Sequence, residues 1–144
     1  MKRILVATDG SPDASRAVDT AAKLAAAMGA DLVIVTVGGD VSGRELRRLA
    51  ATGGNLSATL EEAAMRILAQ AEKRAARLGI SKPKLSSEWG EPAEAIIGAI
   101  RREKADVAVA GRRGRGRGRL ARLLLGSVSQ KMASLAPCTV IVVP

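Results

Sequence analysis

The stretch that decides the fold is ILVATDGSPDASRAVDTAAKLAAAMG, residues 4–29. It opens on an uninterrupted apolar run at 4–7 and passes through the polar turn Thr8-Asp9-Gly10-Ser11. It then sets Ala14, Val18, Ala21, Ala25 and Met28 at helical spacing, ahead of Gly29. A short run without alternation suits a strand covered on both faces, as in a parallel sheet. A one-sided helical stripe that stops at glycine suits the crossover helix such a strand requires. Ser11 reads as the cap of a helix beginning at Pro12.

Working outward, further apolar runs lie at 32–37, 107–110 and 140–143, and Lys84–Trp89 alternates enough to be a more exposed strand. Leu60, Ala64, Ile67, Leu68, Ala71, Ala75 and Leu78 form a second helical face, stopped by Gly79. A third helix starts at Pro92, the favoured first-turn position, and carries Ile96, Ile97 and Ile100; a fourth carries Val128, Met132 and Leu135 before Pro137. Strands alternating with helices predict an open α/β sheet with helices on both faces. No linker or internal repeat divides the chain, so residues 1–144 read as a single domain, with a short helix or mobile flap expected within 38–57.

The composition, 47% hydrophobic and 26% charged, suits a soluble globular protein. Phe and Tyr are absent and Trp89 is the only aromatic, so Ala, Val, Leu and Ile must supply the packing. The net charge of +9 is concentrated: residues 101–122 hold nine basic side chains against Glu103 and Asp106. Cys138 stands alone, which excludes an intramolecular disulfide and fits a reducing interior. The absence of histidine excludes a Ser-His-Asp triad, a Cys-His pair and His-based zinc sites. No apolar run has the length of a membrane span, so no membrane partner and a cytoplasmic location are expected.

In open α/β sheets ligands bind beyond the carboxyl ends of the strands, where strand order reverses. The candidates are therefore Thr8-Asp9-Gly10-Ser11, Val37-Gly38-Gly39-Asp40, and Gly111 onward. The last begins GRRGRGRGRLARLLLGS, residues 111–127, with six arginines and five glycines. Glycines let amides turn inward as an anion nest, and Gly126-Ser127-Val128-Ser129 opens a helix whose free amides and dipole favour phosphate. The plainer reading makes Ser127 an N-cap and the glycines a flexible loop. A Walker A pattern is absent. Gly116-x-Gly118-x-x-Ala121 comes late, without the acidic residue about 20 positions on that a dinucleotide site uses.

Several segments, in order along almost the whole chain, resemble the universal stress protein family. They are KRILVATDGSPDASRAVDTA at 2–21, EWGEPAEAII at 88–97, KADVAVAGRRG at 104–114, LLLGSVSQKM at 123–132 and APCTVIVVP at 136–144. The resemblance implies an adenine nucleotide alpha hydrolase-like fold: an open five-stranded parallel sheet of order 3-2-1-4-5, with its switch point between strands one and four. It also implies a homodimer made through Thr139, Val140, Ile141, Val142 and Val143. One subgroup of the family binds ATP through G-x-x-G, nine residues, then G-[ST]. Here Gly111-x-x-Gly114 is followed by eleven residues and Gly126-Ser127, two more than that signature.

By the resemblance, Ala7, Thr8 and Asp9 line the ribose side of ATP, with Asp9 reaching a ribose hydroxyl or a water on Mg²⁺, and Val37 offers backbone atoms to adenine. Ala110, Gly111, Arg113 and Gly114 border ribose and phosphates, while Gly126, Ser127, Val128 and Ser129 hold the terminal phosphates. Asp9 also reads as an Asx-type turn or a cap. The function implied is a regulatory, stress-linked, ATP-binding homodimer. It is not an efficient enzyme, because no base other than distant Asp9 and Asp40 serves the terminal phosphate, and slow turnover is the upper limit. Two other readings stand beside it. One is a nucleotide-free dimeric scaffold. The other is a nucleic-acid partner gripped by Arg112, Arg113, Arg115, Arg117, Arg119 and Arg122, against which the missing aromatic platform counts; the same six arginines read equally as forked donors to a triphosphate or as a solvated loop. Trp89 reads as a strand-end packing residue and Cys138 as a small buried one.

Overall fold

The computed structural model of the chain describes residues 2–38, 47, 51–113 and 126–144. Its elements run β1 (Arg3–Ala7), α1 (Pro12–Met28), β2 (Asp31–Gly38), α2 (Leu56–Arg77), β3 (Lys84–Trp89), α3 (Pro92–Glu103), β4 (Val107–Gly111), α4 (Ser127–Leu135) and β5 (Thr139–Val143). The strands pair in parallel in the order β3-β2-β1-β4-β5, the sheet the sequence predicts. Within 38–57, Arg47, Ala51 and Thr52 are helical, while 39–46 and 48–50 lie outside the described residues.

Alternation along the strands distributes the core over two layers. Ile4, Val6, Leu32, Ile34, Val107 and Val109 face α1 and α2, against Ala17, Val18, Ala21, Leu68, Ala71 and Ala75. Leu5, Val33, Val35, Ala108 and Ala110 face the other way, against Ile96, Ala99 and Ile100 of α3 and Met132 of α4. Both faces of the central strands are buried, which is why their sequences are continuous apolar runs. β3, at the sheet's edge, is largely exposed.

The helix starts follow from side-chain caps. Ser11 Oγ accepts from the Ala14 amide at 3.3 Å, and Asn55 Oδ1 from the Ala58 amide at 3.3 Å. Glu91 accepts from the amides of Glu94 and Ala93, and the Glu94 bond above all holds its carboxyl below the usual carboxylate range. α1 ends at Gly29, whose backbone is left-handed.

Three packing expectations need correction. Met28 and Leu135 are exposed, each the last residue of its helix and one turn beyond the last buried position, Ala25 and Met132. Cys138 is half-buried rather than enclosed, though burial still pushes its thiol up and keeps it protonated.

At the amino ends of the strands a carboxylate binds the layers together. The Glu103 side chain, 5% exposed, lies 2.7 Å from Lys84 Nζ, 3.6 Å from Arg3 Nη1 and 4.0 Å from Arg102 Nε. Arg3 Nη1 also donates to the Glu103 carbonyl at 2.9 Å. The Lys84 ammonium above all, then Arg3 and Arg102, hold the Glu103 carboxyl below its ordinary value, against the opposing effect of burial. A depressed folded-state value contributes stability that is present above the unfolded-state value of 4.5 and lost as pH falls through the folded one. Glu103→Gln is therefore expected to cost about 1–2 kcal/mol at neutral pH and to flatten the acid loss of stability. Urea midpoints measured from neutral pH down through the carboxylate range check this; identical pH slopes in variant and parent contradict it.

Candidate functional site

The chain leaves β1 for β2 on one side and β4 for β5 on the other, so a crevice opens where the carboxyl ends of β1 and β4 lie side by side. On the β1 rim, Thr8 is buried and its amide donates to the Val35 carbonyl at 2.9 Å, carrying the ladder one residue past the strand. Thr8 Oγ1 accepts from the Gly10 amide at 3.2 Å, and Asp9 Oδ1 from the Ser11 amide at 2.9 Å. The second bond is the Asx-type turn read from the sequence. The rim is thus braced by its own polar side chains before α1 begins.

On the β4 rim the main chain of Arg112 makes three bonds. Its amide donates to the Val143 carbonyl at 2.6 Å, and its carbonyl accepts from the Gly126 amide at 2.7 Å and from Ser129 Oγ at 2.9 Å. The end of β4, the end of β5 and the start of α4 therefore meet at one residue. Ser129 is buried and its hydroxyl is committed to main-chain oxygens, with the Gly126 carbonyl at 3.1 Å as its second acceptor. The N-cap of α4 is Gly126, not Ser127, and no side chain caps the first turn. The amides of Ser127, Val128 and Ser129 precede the first intrahelical donor, Gln130, whose amide reaches the Gly126 carbonyl at 3.0 Å. Arg112 Nε is buried with no hydrogen-bond acceptor among the described residues; the sequence reading names Arg112 only as one of six arginines of the basic stretch.

β2 supplies the third wall. The Val35 carbonyl faces β1, so Val37, two residues on, directs its peptide groups to the same side, where β1 has already turned away into its loop. Beside Val37, the Trp89 ring lies over Gly38, where a Cβ would stand 2.6 Å from a ring carbon. Trp89 is a strand-end packing residue as expected, with 48% of its surface still exposed.

Ala7, Thr8, Asp9, Val37, Ala110, Gly111, Arg113, Gly126, Ser127, Val128 and Ser129 all lie at the carboxyl end of the sheet or at the start of the helix tied to it. Gly114 lies outside the described residues, as do Arg115, Arg117, Arg119 and Arg122. Gly111 has a structural reason of its own: a Cβ there would stand 2.8 Å from the Asp13 carbonyl carbon and 2.9 Å from the Ala14 nitrogen. Its missing side chain makes room for the first turn of α1. Among the described residues no helix is long and apolar enough to cross a membrane.

Residues 1–144 match the family model described as the universal stress protein family. A universal stress protein of Thermus aquaticus is 38% identical over 149 residues, covering 99% of this chain and 98% of that protein. A solved universal stress protein in complex with cAMP is 29% identical, covers 99% of this chain and 95% of its own, and superposes with a TM-score of 0.74. The UspA protein of Lactobacillus plantarum, 24% identical over 99% of this chain and 97% of its own, shares the fold with a TM-score of 0.79.

The contact at Gly111 gives a direct check on the crevice's construction. Gly111→Ala is expected to destabilise the fold by about 1–3 kcal/mol, because the obstructing atoms are main chain and cannot turn aside. Gly98→Ala, in the α3 interior with open space around its Cβ position, is expected to stabilise by about 0.5–1 kcal/mol. Denaturant unfolding of the two variants measures the contrast, and equal effects of the same sign contradict it.

Proposed function

The chain belongs to the universal stress protein family, and from that premise we propose that it binds an adenine nucleotide, ATP foremost, in the crevice between β1 and β4 as a regulatory ligand. The observation that carries this reading is the uncapped start of α4, held beside β4 by the Arg112 peptide. Three amides and the positive end of the helix dipole form an anion site, and the hydroxyl of exposed Ser127 adds a donor. Arg112 Nε, buried and without an acceptor among the described residues, adds a cationic donor at the same rim. The Val37 peptide suits the hydrogen-bonding edge of a base, and Ala7, Thr8 and Asp9 suit the ribose. In this reading Gly114 and Arg113 complete the phosphate border, and Asp9 reaches a water on Mg²⁺. The cAMP complex of a relative 29% identical to this chain supports the adenine-nucleotide class.

The same reading includes a homodimer through β5. Val140, Ile141, Val142 and Val143 are each only half-buried in one chain, and β5 is an edge strand whose outer ladder is open to a second copy.

Two measurements test the proposal. Calorimetric titration with ATP and Mg²⁺ is expected to saturate below millimolar nucleotide, and acid denaturation of the purified protein to release adenine nucleotide; neither effect leaves the reading without support. Ser127→Glu is expected to weaken ATP at least tenfold by setting a carboxylate against the phosphates. The same change raises or preserves stability, because an anion suits a helix start. A parallel loss of both contradicts the site. Light scattering is expected at twice the 14.9 kDa chain mass, and a monomer at micromolar concentration sinks the dimer.

A further inference from the structure

A second concavity, apart from the β1/β4 crevice, opens between α1 and α2. It is an open groove of about 200 Å³ that begins at Thr8 and Gly10 and runs between the two helices. Only Thr8 is shared with the residues assigned above to the nucleotide. Val18, Ile67 and Ala71 are buried or half-buried and give it an apolar floor. The walls are cationic. Gln70, Lys73, Arg74 and Arg77 stand at i, i+3, i+4 and i+7 on α2, so they share one face of that helix.

Like charges so spaced repel one another unless an anion lies between them. One anion is present: Asp19 of α1 accepts from Arg74 Nε at 2.9 Å and from Arg74 Nη2 at 2.6 Å, locking the two helices together and raising the Arg74 guanidinium above its ordinary value. Asp19 is satisfied by that forked pair. Lys73 and Arg77 make no ion pair with a described residue, and the Ser15 hydroxyl and Gln70 amide make no hydrogen bond with one. Two cations without an ion pair to a described residue and two neutral polar groups thus surround an apolar floor, beside the Arg74–Asp19 pair that joins the two helices.

We propose that this groove is a binding site for a small organic phosphate, its apolar part on Val18, Ile67 and Ala71 and its phosphate on Lys73 and Arg77, with Ser15 and Gln70 fixing its orientation. Arg favours planar, forked recognition of phosphate oxygens, and the long Lys73 stem adapts to the second oxygen. The apolar floor sets the preference for an organic ester over the bare ion. The site stands whether or not nucleotide binds in the β1/β4 crevice.

Amide NMR on the whole chain, titrated separately with phenyl phosphate and inorganic phosphate, tests this. Phenyl phosphate is expected to shift the Gly10, Ser15, Gln70 and Arg77 amides saturably, and at least tenfold more tightly than inorganic phosphate. Lys73→Gln with Arg77→Gln, both at exposed helix positions, is expected to weaken it tenfold or more while leaving the spectrum folded and the α4 amides unchanged. Shifts confined to Ser127, Val128 and Ser129 assign the ester to the other crevice and overturn the proposal. Equal affinity for the two probes overturns it too, as does a double variant that binds like the parent.

Discussion

The main chain of Arg112 is where the carboxyl end of the sheet is fastened to its neighbours. Its amide bonds β5 through the Val143 carbonyl, and its carbonyl bonds the start of α4 through the Gly126 amide and Ser129 Oγ. Met132 holds α4 to the core by packing, and the Arg112 bonds add the polar tie that joins its first turn to the end of β4. With it, the amides of α4 open beside β4 and next to the β1 rim, so a helix end becomes a directed feature of the crevice. The carbonyl accepts two of these bonds in a part-buried setting, so one residue ties three elements.

The core that supports this arrangement is built without Phe or Tyr. The buried face of α1 is Ala14, Ala17, Val18, Ala21, Ala22 and Ala25, side chains too short to hold a helix far from a sheet. Close approach is the consequence. Where β4 ends, the main chain of Asp13 and Ala14 comes so near Gly111 that a Cβ would stand 2.8 Å from it. Glycine is needed there because the neighbouring layer is made of alanine. A residue that resembles a phosphate-loop glycine is therefore also the contact that lets α1 and β4 form one rim.

The strands and the main helices were legible in the sequence, because burial on both faces writes continuous apolar runs and one-sided helices write a 3.6-residue stripe. Ser11 as cap and Asp9 as an Asx turn were legible too, since short polar side chains act on amides two or three residues away. The order of the strands came from the family resemblance, not from periodicity. Glu91 as the cap of α3, the three bonds of Arg112 and the groove beside Lys73 and Arg77 were not legible. Glu91 caps through a longer side chain than the usual capping residues. The Arg112 tie joins positions up to thirty-one residues apart. The groove needs α1 and α2 packed side by side, and no local pattern announces which stripe of cations faces the neighbour.

The loop length separating this chain from the ATP-binding signature can now be weighed against that tie. Thirteen residues, 113–125, lie between Arg112 and Gly126, where the nine-residue signature implies eleven. Closing a flexible loop scales with the logarithm of its length, so two more residues cost only about 0.1–0.2 kcal/mol. One main-chain hydrogen bond contributes about 1 kcal/mol, and the Gly126 amide to Arg112 carbonyl bond, at 2.7 Å, sits across the loop's base. The anchor therefore outweighs the extra length several-fold. What the longer loop alters is the chemistry it carries. Arg113, Arg115, Arg117, Arg119 and Arg122 put five like charges into the thirteen residues between Arg112 and Gly126, in a chain of net charge +9, which favours an anionic partner for this segment.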